Sequence, residues 1–406
     1  MLYKIKASKM KIIVSSFQGI HNGIPSGAAK ILVVLISNLK ALWNDDVIMY
    51  VGYKKNSSMF NNVRSLGILY QYLIQALSII NIRILKKKSF FNRYLTEQLY
   101  DLFLSFRLSQ PVVLISSAYL YRSIKKNKKN GGINIFISGN PDDREINNIL
   151  KEESLKFKIA ISDAYTYEKR LNFISKSIDT FDHIICFSTL TYNTFLKYRE
   201  KKYISIVTHN IIPNPTVFKN INIEKKKELV FCYLAHPFWL KGLTYLLIAW
   251  SKINHELNIG LKIGGNISDE IKYYISIHFP DLRNLSFTGW VDDINVFFRS
   301  SDVAIVPSIL DAGPTTIAEA MHCGLPVIAS NGCGSSQLII NGENGFIIPA
   351  RNEYALQEKI EWFIDNNDKI LLMSNNATNT IKDLCLSNQD RSVAEHIIGI
   401  INSWNQ

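Results

Sequence analysis

Pro307-Ser308-Ile309-Leu310-Asp311-Ala312-Gly313-Pro314-Thr315-Thr316-Ile317-Ala318-Glu319-Ala320-Met321 is the run on which the reading of this 406-residue chain turns. An apolar strand over Val303 to Pro307 gives way to a Gly-Pro turn, and a helix is expected to open near Thr315. The first amides of a helix have no intrahelical acceptor, and the helix dipole adds positive character there, so such an end suits a pyrophosphate. Gly313, Thr315 and Thr316 would supply backbone or hydroxyl donors. Glu319 lies one turn inside the helix, within reach of ribose hydroxyls. Asp311 lies on the preceding loop, where a carboxylate could hold the hydroxyls of a sugar. The alternative is that Asp311 caps a turn and Glu319 is a solvated helix residue.

Outward from this run, the second half of the chain alternates short apolar stretches with helical ones. Strands are expected at Leu229 to Leu234, Asn258 to Gly264, Leu285 to Thr288, Val303 to Pro307, Pro326 to Ala329 and Gly345 to Ile348. Helices are expected at Leu243 to Lys252, Asp269 to His278, Ile294 to Ser300, Thr316 to Cys323, Ser336 to Ile340 and Glu353 to Asn366. The first half alternates in the same way, with strands at Lys11 to Phe17, Val47 to Gly52, Val112 to Ser116, Ile133 to Ser138, Lys158 to Ile161, His183 to Phe187 and Ile204 to Thr208. Short apolar strands separated by helices imply parallel sheets covered on both faces. Pro213, Asn214 and Pro215, followed by the charged run Glu224 to Glu228, read as a linker. The expected organisation is therefore an N-terminal domain over 1–222, a C-terminal domain over 228–385, and a last helix over 386–406 that could cross back to the first domain.

Charge divides the chain at the same place. Residues 1–227 carry a net +20 and residues 228–406 a net −8, which together give the formal +12 of the whole. Basic clusters at Lys86 to Lys88, Lys125 to Lys129 and Lys225 to Lys227, the first beside Phe90, Phe91 and Tyr94, suit an anionic membrane surface. The alternative is a solvated lysine-rich face. No nucleic-acid module accompanies the charge, so no nucleic-acid partner is expected. Ser65 to Ile82 carries no charge but is interrupted by Gln71, Gln75, Ser78 and Asn81, and reads as a buried or interfacial helix, not a spanning one. The five scattered cysteines lack metal-ligand spacing and read as reduced core thiols. No secretory leader is evident, which points to the cytoplasm.

The ordered motifs over Leu229 to Pro349 resemble the C-terminal signature of retaining glycosyltransferases of the GT-B fold, the group 1 or family 4-like enzymes. The resemblance is carried by Asp311 and Glu319 eight apart, Glu319-Ala320-Met321, Gly324-Leu325-Pro326-Val327, Asn331-Gly332-Cys333-Gly334, Asn341 to Gly345, Lys241-Gly242, and Phe287 to Val291. It implies two doubly wound Rossmann-like domains facing an interdomain cleft. It also implies that Lys241 binds the donor diphosphate, Glu319 the ribose and Asp311 the donor sugar, with Trp290 and Val291 near the base. Trp290 reads equally well as a core residue. No metal or cofactor is expected, because Lys241 and helix-end amides would replace a metal electrostatically.

Three positions depart from the family pattern. Asp311 stands where glutamate is usual, His236 where an arginine precedes the motif lysine, and Gln337 where an acidic residue is usual. The activity implied is transfer of a sugar from a UDP- or GDP-sugar to a saccharide or lipid-linked oligosaccharide in bacterial surface polysaccharide, O-antigen, capsule or lipopolysaccharide assembly. It would take place peripherally at the inner face of the plasma membrane. Two alternatives stay open: a nucleotide-sugar epimerase of the same fold, and a catalytically inactive membrane-associated subunit.

Overall fold

A computed structural model describes residues 10–404 except 18–19, 22–23, 26–27, 44–45, 53, 56–61, 81–88, 162, 208–227, 236–238, 255, 268 and 387–388. The chain divides into two units, Met1–His209 with Asn388–Gln406, and Asn210–Ser387. The boundary between them falls in the stretch 208–227, outside the described residues.

In the first unit the strands are β1 (Lys11–Ser16), β2 (Ile20–His21), β3 (Ile24–Pro25), β4 (Val47–Val51), β5 (Lys54–Lys55), β6 (Val63–Ser65), β7 (Val112–Ser116), β8 (Ile133–Ser138), β9 (His183–Cys186) and β10 (Ile204–Ile206). Seven of them form a parallel sheet in the order β10-β9-β8-β7-β1-β4-β6, while β2, β3 and β5 make a separate small ribbon. Residues of β1, β4, β7 and β8 are nearly all buried, as strands covered by helices on both faces must be. The stretch Lys158 to Ile161 is not a strand. Helix Asp143–Phe157 ends there on Lys158 in the left-handed conformation (φ 54°), and the Ile159 amide closes back on the Ser154 carbonyl.

A buried ionic cluster ties three helices of this unit together. Arg170 donates Nε and Nη2 to the two oxygens of Glu97, at 2.9 Å each, and Nη1 to Asp143 at 3.2 Å. Arg170 and Asp143 are completely buried, and Tyr119 donates its hydroxyl to the other oxygen of Asp143. Burial opposes the charge of Arg170, yet Glu97 and Asp143 beside it outweigh that cost and leave the guanidinium more firmly protonated than usual. Nearby, Asp101 accepts from the amides of Tyr121, Arg122 and Ser123, the open end of helix Tyr121–Lys129, which otherwise has no side-chain cap.

The last helix, Gln389–Ser403, packs on helix Ala28–Trp43 and buries Val393, Ala394, Ile397 and Ile401. Ser205 of β10 lies between two imidazoles, with His183 Nε2 at 2.9 Å and His396 Nε2 at 2.8 Å. This contact joins the C-terminal helix to the sheet edge.

The second unit contains β11 (Leu229–Leu234), β12 (Ile259–Gly264), β13 (Leu285–Gly289), β14 (Val303–Val306), β15 (Val327–Ser330) and β16 (Gly345–Ile348), all parallel in the order β13-β12-β11-β14-β15-β16. Alternate residues feed opposite faces. Phe231, Tyr233, Ile305 and Ile328 join one apolar cluster under helices Leu243–Trp250 and Glu353–Asp365. Cys232, Ala304, Val306, Val327 and Ala329 join the other, with Ile317, Ala320 and Met321 of helix Thr315–His322. The chain leaves β11 toward β12 and β13 on one side and returns to build β14, β15 and β16 on the other. The strand order therefore reverses between β11 and β14, which is where open α/β sheets bind ligands, beyond the carboxyl ends of the strands. The expected helix at Ser336 to Ile340 is instead a 3-10 turn at Gly334–Leu338, and a further helix runs from Ile370 to Leu386. The five cysteines are free thiols, four of them buried.

Candidate active site at the strand-order reversal

The loops leaving β11 and β14 meet at this crevice. After β11 the chain makes a 3-10 turn at Trp239–Lys241, then Gly242 in the left-handed conformation (φ 72°) opens helix Leu243–Trp250. A side chain at Gly242 would be impossible without movement, since a Cβ there would lie 1.9 Å from the Pro307 carbonyl oxygen. The turn is pinned to the second loop by the Ile309 amide, which donates to the Leu240 carbonyl at 2.7 Å. The buried Tyr233 contributes a hydroxyl 3.4 Å from the Lys241 carbonyl. Burial keeps that phenol protonated, and the nearby Asp311 charge acts in the same direction.

Asp311 is fixed by its own backbone. Its amide donates to the Gly332 carbonyl and its carbonyl accepts from the Gly334 amide, both at 2.8 Å, so Asp311 bridges to Cys333 in a parallel ladder. Gly332 must be glycine, because a Cβ would stand 2.3 Å from the Ile309 carbonyl oxygen. Held this way, the Asp311 carboxylate forms a salt bridge with Lys241 Nζ. The side chains keep only 27% and 13% of their surface exposed, for Lys241 and Asp311 respectively, so the pair is largely withdrawn from water yet reachable. Beneath it, Cys333 is buried and its thiol is pushed up to about 11, by burial first and by Asp311 second.

Two residues beyond Asp311, Gly313 is exposed, and Pro314 precedes helix Thr315–His322 with no side-chain cap. Thr315, Thr316 and Glu319 are half-buried. The spacing of three and four residues places Glu319 on the helix face of the two threonines. The structure therefore gathers an ammonium, a carboxylate and an uncapped helix start on consecutive pieces of two adjacent strand ends. Such a set can hold an anion against the ammonium and helix amides while a carboxylate accepts hydroxyls.

The other described candidates lie on neighbouring loops. Trp290 and Val291 follow β13, the edge strand, which β12 separates from β11. Trp290 is 64% exposed, so it is a surface residue and not a core one, while Val291 packs partly against the apolar cluster behind helix Thr315–His322. His236 lies outside the described residues. Gln337 is exposed on the turn Gly334–Leu338. Tyr233 and the backbone clamp by Gly332 and Gly334 were not among the expected site residues. Their only signal in sequence is an aromatic near the end of β11 and the Gly-x-Gly after β15.

Two parallel, doubly wound units of this kind define the GT-B fold. Residues 216–380 match the glycosyl transferases group 1 family, so the match covers the second unit, and the paired parallel sheets of the chain have the GT-B architecture. An uncharacterized glycosyltransferase of Haemophilus influenzae is 30% identical over 175 residues, which are 41% of this chain and 49% of that protein. An N,N'-diacetylbacillosaminyl-diphospho-undecaprenol alpha-1,3-N-acetylgalactosaminyltransferase of Campylobacter jejuni is 26% identical over 39% of this chain and 41% of its own length. The chain thus spans less than half the length of these two relatives. Among solved structures, WaaG, a glycosyltransferase involved in lipopolysaccharide biosynthesis, aligns with a TM-score of 0.67 at 13% identity, over 96% of this chain and 99% of that one. Anabaena Alr3699/HepE in complex with UDP and glucose aligns with a TM-score of 0.59 at 14% identity, over 97% and 99%.

Proposed function

We propose that this chain is a retaining glycosyltransferase that moves a sugar from a UDP- or GDP-sugar to a saccharide or lipid-linked acceptor in bacterial surface-polysaccharide assembly. The observation that carries this reading is the Lys241–Asp311 pair at the strand-order reversal, next to the uncapped start of helix Thr315–His322. Lys241, with the amides and hydroxyls of Gly313, Thr315 and Thr316, takes the diphosphate. Glu319 accepts from ribose hydroxyls, Asp311 from hydroxyls of the transferred sugar, and Trp290 and Val291 flank the base. His236 adds a further donor to the phosphates when protonated.

In the reaction the bond from the anomeric carbon to the diphosphate oxygen breaks, and an acceptor hydroxyl oxygen bonds to that carbon on the same face. The hydroxyl proton passes to the departing diphosphate. Charge builds on that leaving group, and Lys241 and the helix amides offset it without a metal. The lipid-linked acceptor is supported by the name of the Campylobacter relative, which acts on a diphospho-undecaprenol substrate, and the UDP donor by the HepE complex. Among the described residues no helix is long and apolar enough to cross a membrane. The excess of cations in residues 1–227 supports a peripheral site of action on an anionic inner membrane face.

The test is a thermal-shift screen with UDP-, GDP-, ADP- and dTDP-sugars, followed by transfer to a polyprenyl-diphosphate saccharide. A UDP- or GDP-sugar is expected to stabilise the chain, and transfer to give a product with the donor's anomeric configuration. Conversion of the donor sugar with no acceptor present would instead make it an epimerase. Lack of stabilisation by every nucleotide sugar would leave a non-catalytic subunit.

A further inference from the structure

Helix Ile68–Ile79 turns the wrong face to solvent. Its inner side is Tyr70, which is buried, with Gln71, Ile74, Leu77 and Ser78 half-buried. Its outer arc is Ile68, Leu69, Tyr72, Leu73, Ala76, Ile79 and the following Ile80, with Gln75 as its one polar member. Ile68, Leu69, Tyr72 and Ile79 are more than half exposed, at 69%, 61%, 62% and 53%. The spacing of three and four residues makes this one continuous stripe. Soluble monomers seldom present such a patch without a partner for it.

The surroundings say what that partner is. Helix Ile68–Ile79 packs on helix Ser89–Ser105, and the latter on helix Tyr121–Lys129. The only carboxylates in these three helices, Glu97 and Asp101, are buried and engaged in the contacts described above. Their outward charges are all positive: Arg122, Lys125 and Lys129 are exposed on the third helix, and Lys128, also exposed, is paired with Asp182 at 2.7 Å. The seam is stitched by cations too. Arg107 donates to the Leu66 carbonyl at 3.2 Å and Lys126 to the Ser105 carbonyl at 2.8 Å, on either side of Phe106, which is 64% exposed.

We infer that this three-helix face is a membrane-docking surface, with the outer arc of helix Ile68–Ile79 and Phe106 entering the acyl boundary of an anionic bilayer and Arg122, Lys125 and Lys129 of helix Tyr121–Lys129 meeting its headgroups. An apolar stripe beside cations, with no outward carboxylate, matches a surface that is apolar within and negative at its rim. A protein partner would be expected to meet a charged anchor along the stripe, and its one polar member, Gln75, carries no charge. The inference deepens the reading of a lipid-linked acceptor and rests on it for the purpose of the contact; the surface itself is independent of the donor site.

The experiment is co-sedimentation of the full chain with vesicles of phosphatidylethanolamine and phosphatidylglycerol, against phosphatidylcholine alone, with light scattering for oligomeric state. The unsubstituted chain is expected to pellet with the anionic vesicles. The triple variant Leu69→Gln, Tyr72→Gln, Ile79→Gln should lose at least tenfold in apparent affinity, and Lys125→Glu with Lys129→Glu a salt-dependent fraction of it. All five positions are exposed, and unchanged melting and nucleotide binding will show that each variant is folded. Equal sedimentation of the triple variant overturns the inference. So does a dimer that the triple variant converts to a monomer while vesicle binding is absent, because the stripe is then a self-association surface. Vesicle binding without any nucleotide-sugar binding would sink the transferase reading and leave this one standing.

Discussion

Lys241 Nζ is ion-paired with the carboxylate of Asp311, 70 positions later, where the loops leaving β11 and β14 converge. In the absence of a donor, each group neutralises the other. A diphosphate at the helix start would have to draw the ammonium from Asp311, and in doing so would free the carboxylate to accept sugar hydroxyls. On the proposed reading, the pair would couple phosphate binding to preparation of the sugar site.

Loss of either member is expected to act differently. Lys241→Ala should lower kcat/KM by about 10²–10³, the range for removing one preorganised donor from a developing negative charge. Glu319→Ala should raise KM more than it lowers kcat, because ribose contacts are made alike in ground and transition states. Steady-state kinetics with the donor identified by thermal shift will separate the two.

Gly242→Ala is expected to destabilise the second unit by about 2–4 kcal/mol, by the strain of a side chain at positive φ and by collision with the Pro307 carbonyl. Gly332→Ala should do the same through Ile309, displacing Asp311 with it. Denaturant unfolding followed by circular dichroism will read the loss. A Gly242→Ala variant as stable as the parent would contradict the close packing of the two loops.

Arg170→Met is expected to cost about 3–5 kcal/mol, because it leaves the Glu97 and Asp143 carboxylates buried without their counter-charge. The triple replacement Arg170→Met, Glu97→Gln, Asp143→Asn should recover part of that loss. Urea denaturation of the three proteins measures both numbers.

Acid should loosen the C-terminal helix. Burial first, then the charges of His396 and Arg199, push His183 down to about 4, and burial lowers His396 as well. Both imidazoles are therefore favoured neutral in the folded chain. Their contribution is complete above the unfolded value of about 6.5 and is lost as pH falls from there toward 4. The expected loss is about 1–2 kcal/mol after solvent screening. Melting across this window will show it, and His396→Gln should flatten the slope.

Much of the second unit was legible before any coordinates, for a physical reason. Strands buried on both faces are written as apolar runs, and Gly242, Gly324 and Gly345 punctuate them where the chain turns or packs closely. The Asp311–Glu319 spacing placed one carboxylate on a loop and one on a helix. Sequence could not show that Lys241 and Asp311 touch, because that depends on β11 and β14 being neighbours across the sheet. Lys158 to Ile161 misled because four residues with two isoleucines fit a strand as well as a helix end. The stretch after Ser65 could be read as buried or interfacial, and only the packing of Tyr70 fixed which side faces out. From sequence, Trp290 reads equally well as a residue near the base or as a core one, and its exposure beyond an edge strand rules out the core position.

The most direct measurement is titration calorimetry of UDP and GDP into the parent chain, Lys241→Ala and Asp311→Asn. If Lys241 is shared between Asp311 and the diphosphate, Lys241→Ala will bind the preferred nucleotide at least tenfold more weakly. Asp311→Asn will bind it more tightly while losing sugar transfer. Unchanged affinity in Lys241→Ala, or weaker nucleotide binding in Asp311→Asn, would contradict that arrangement.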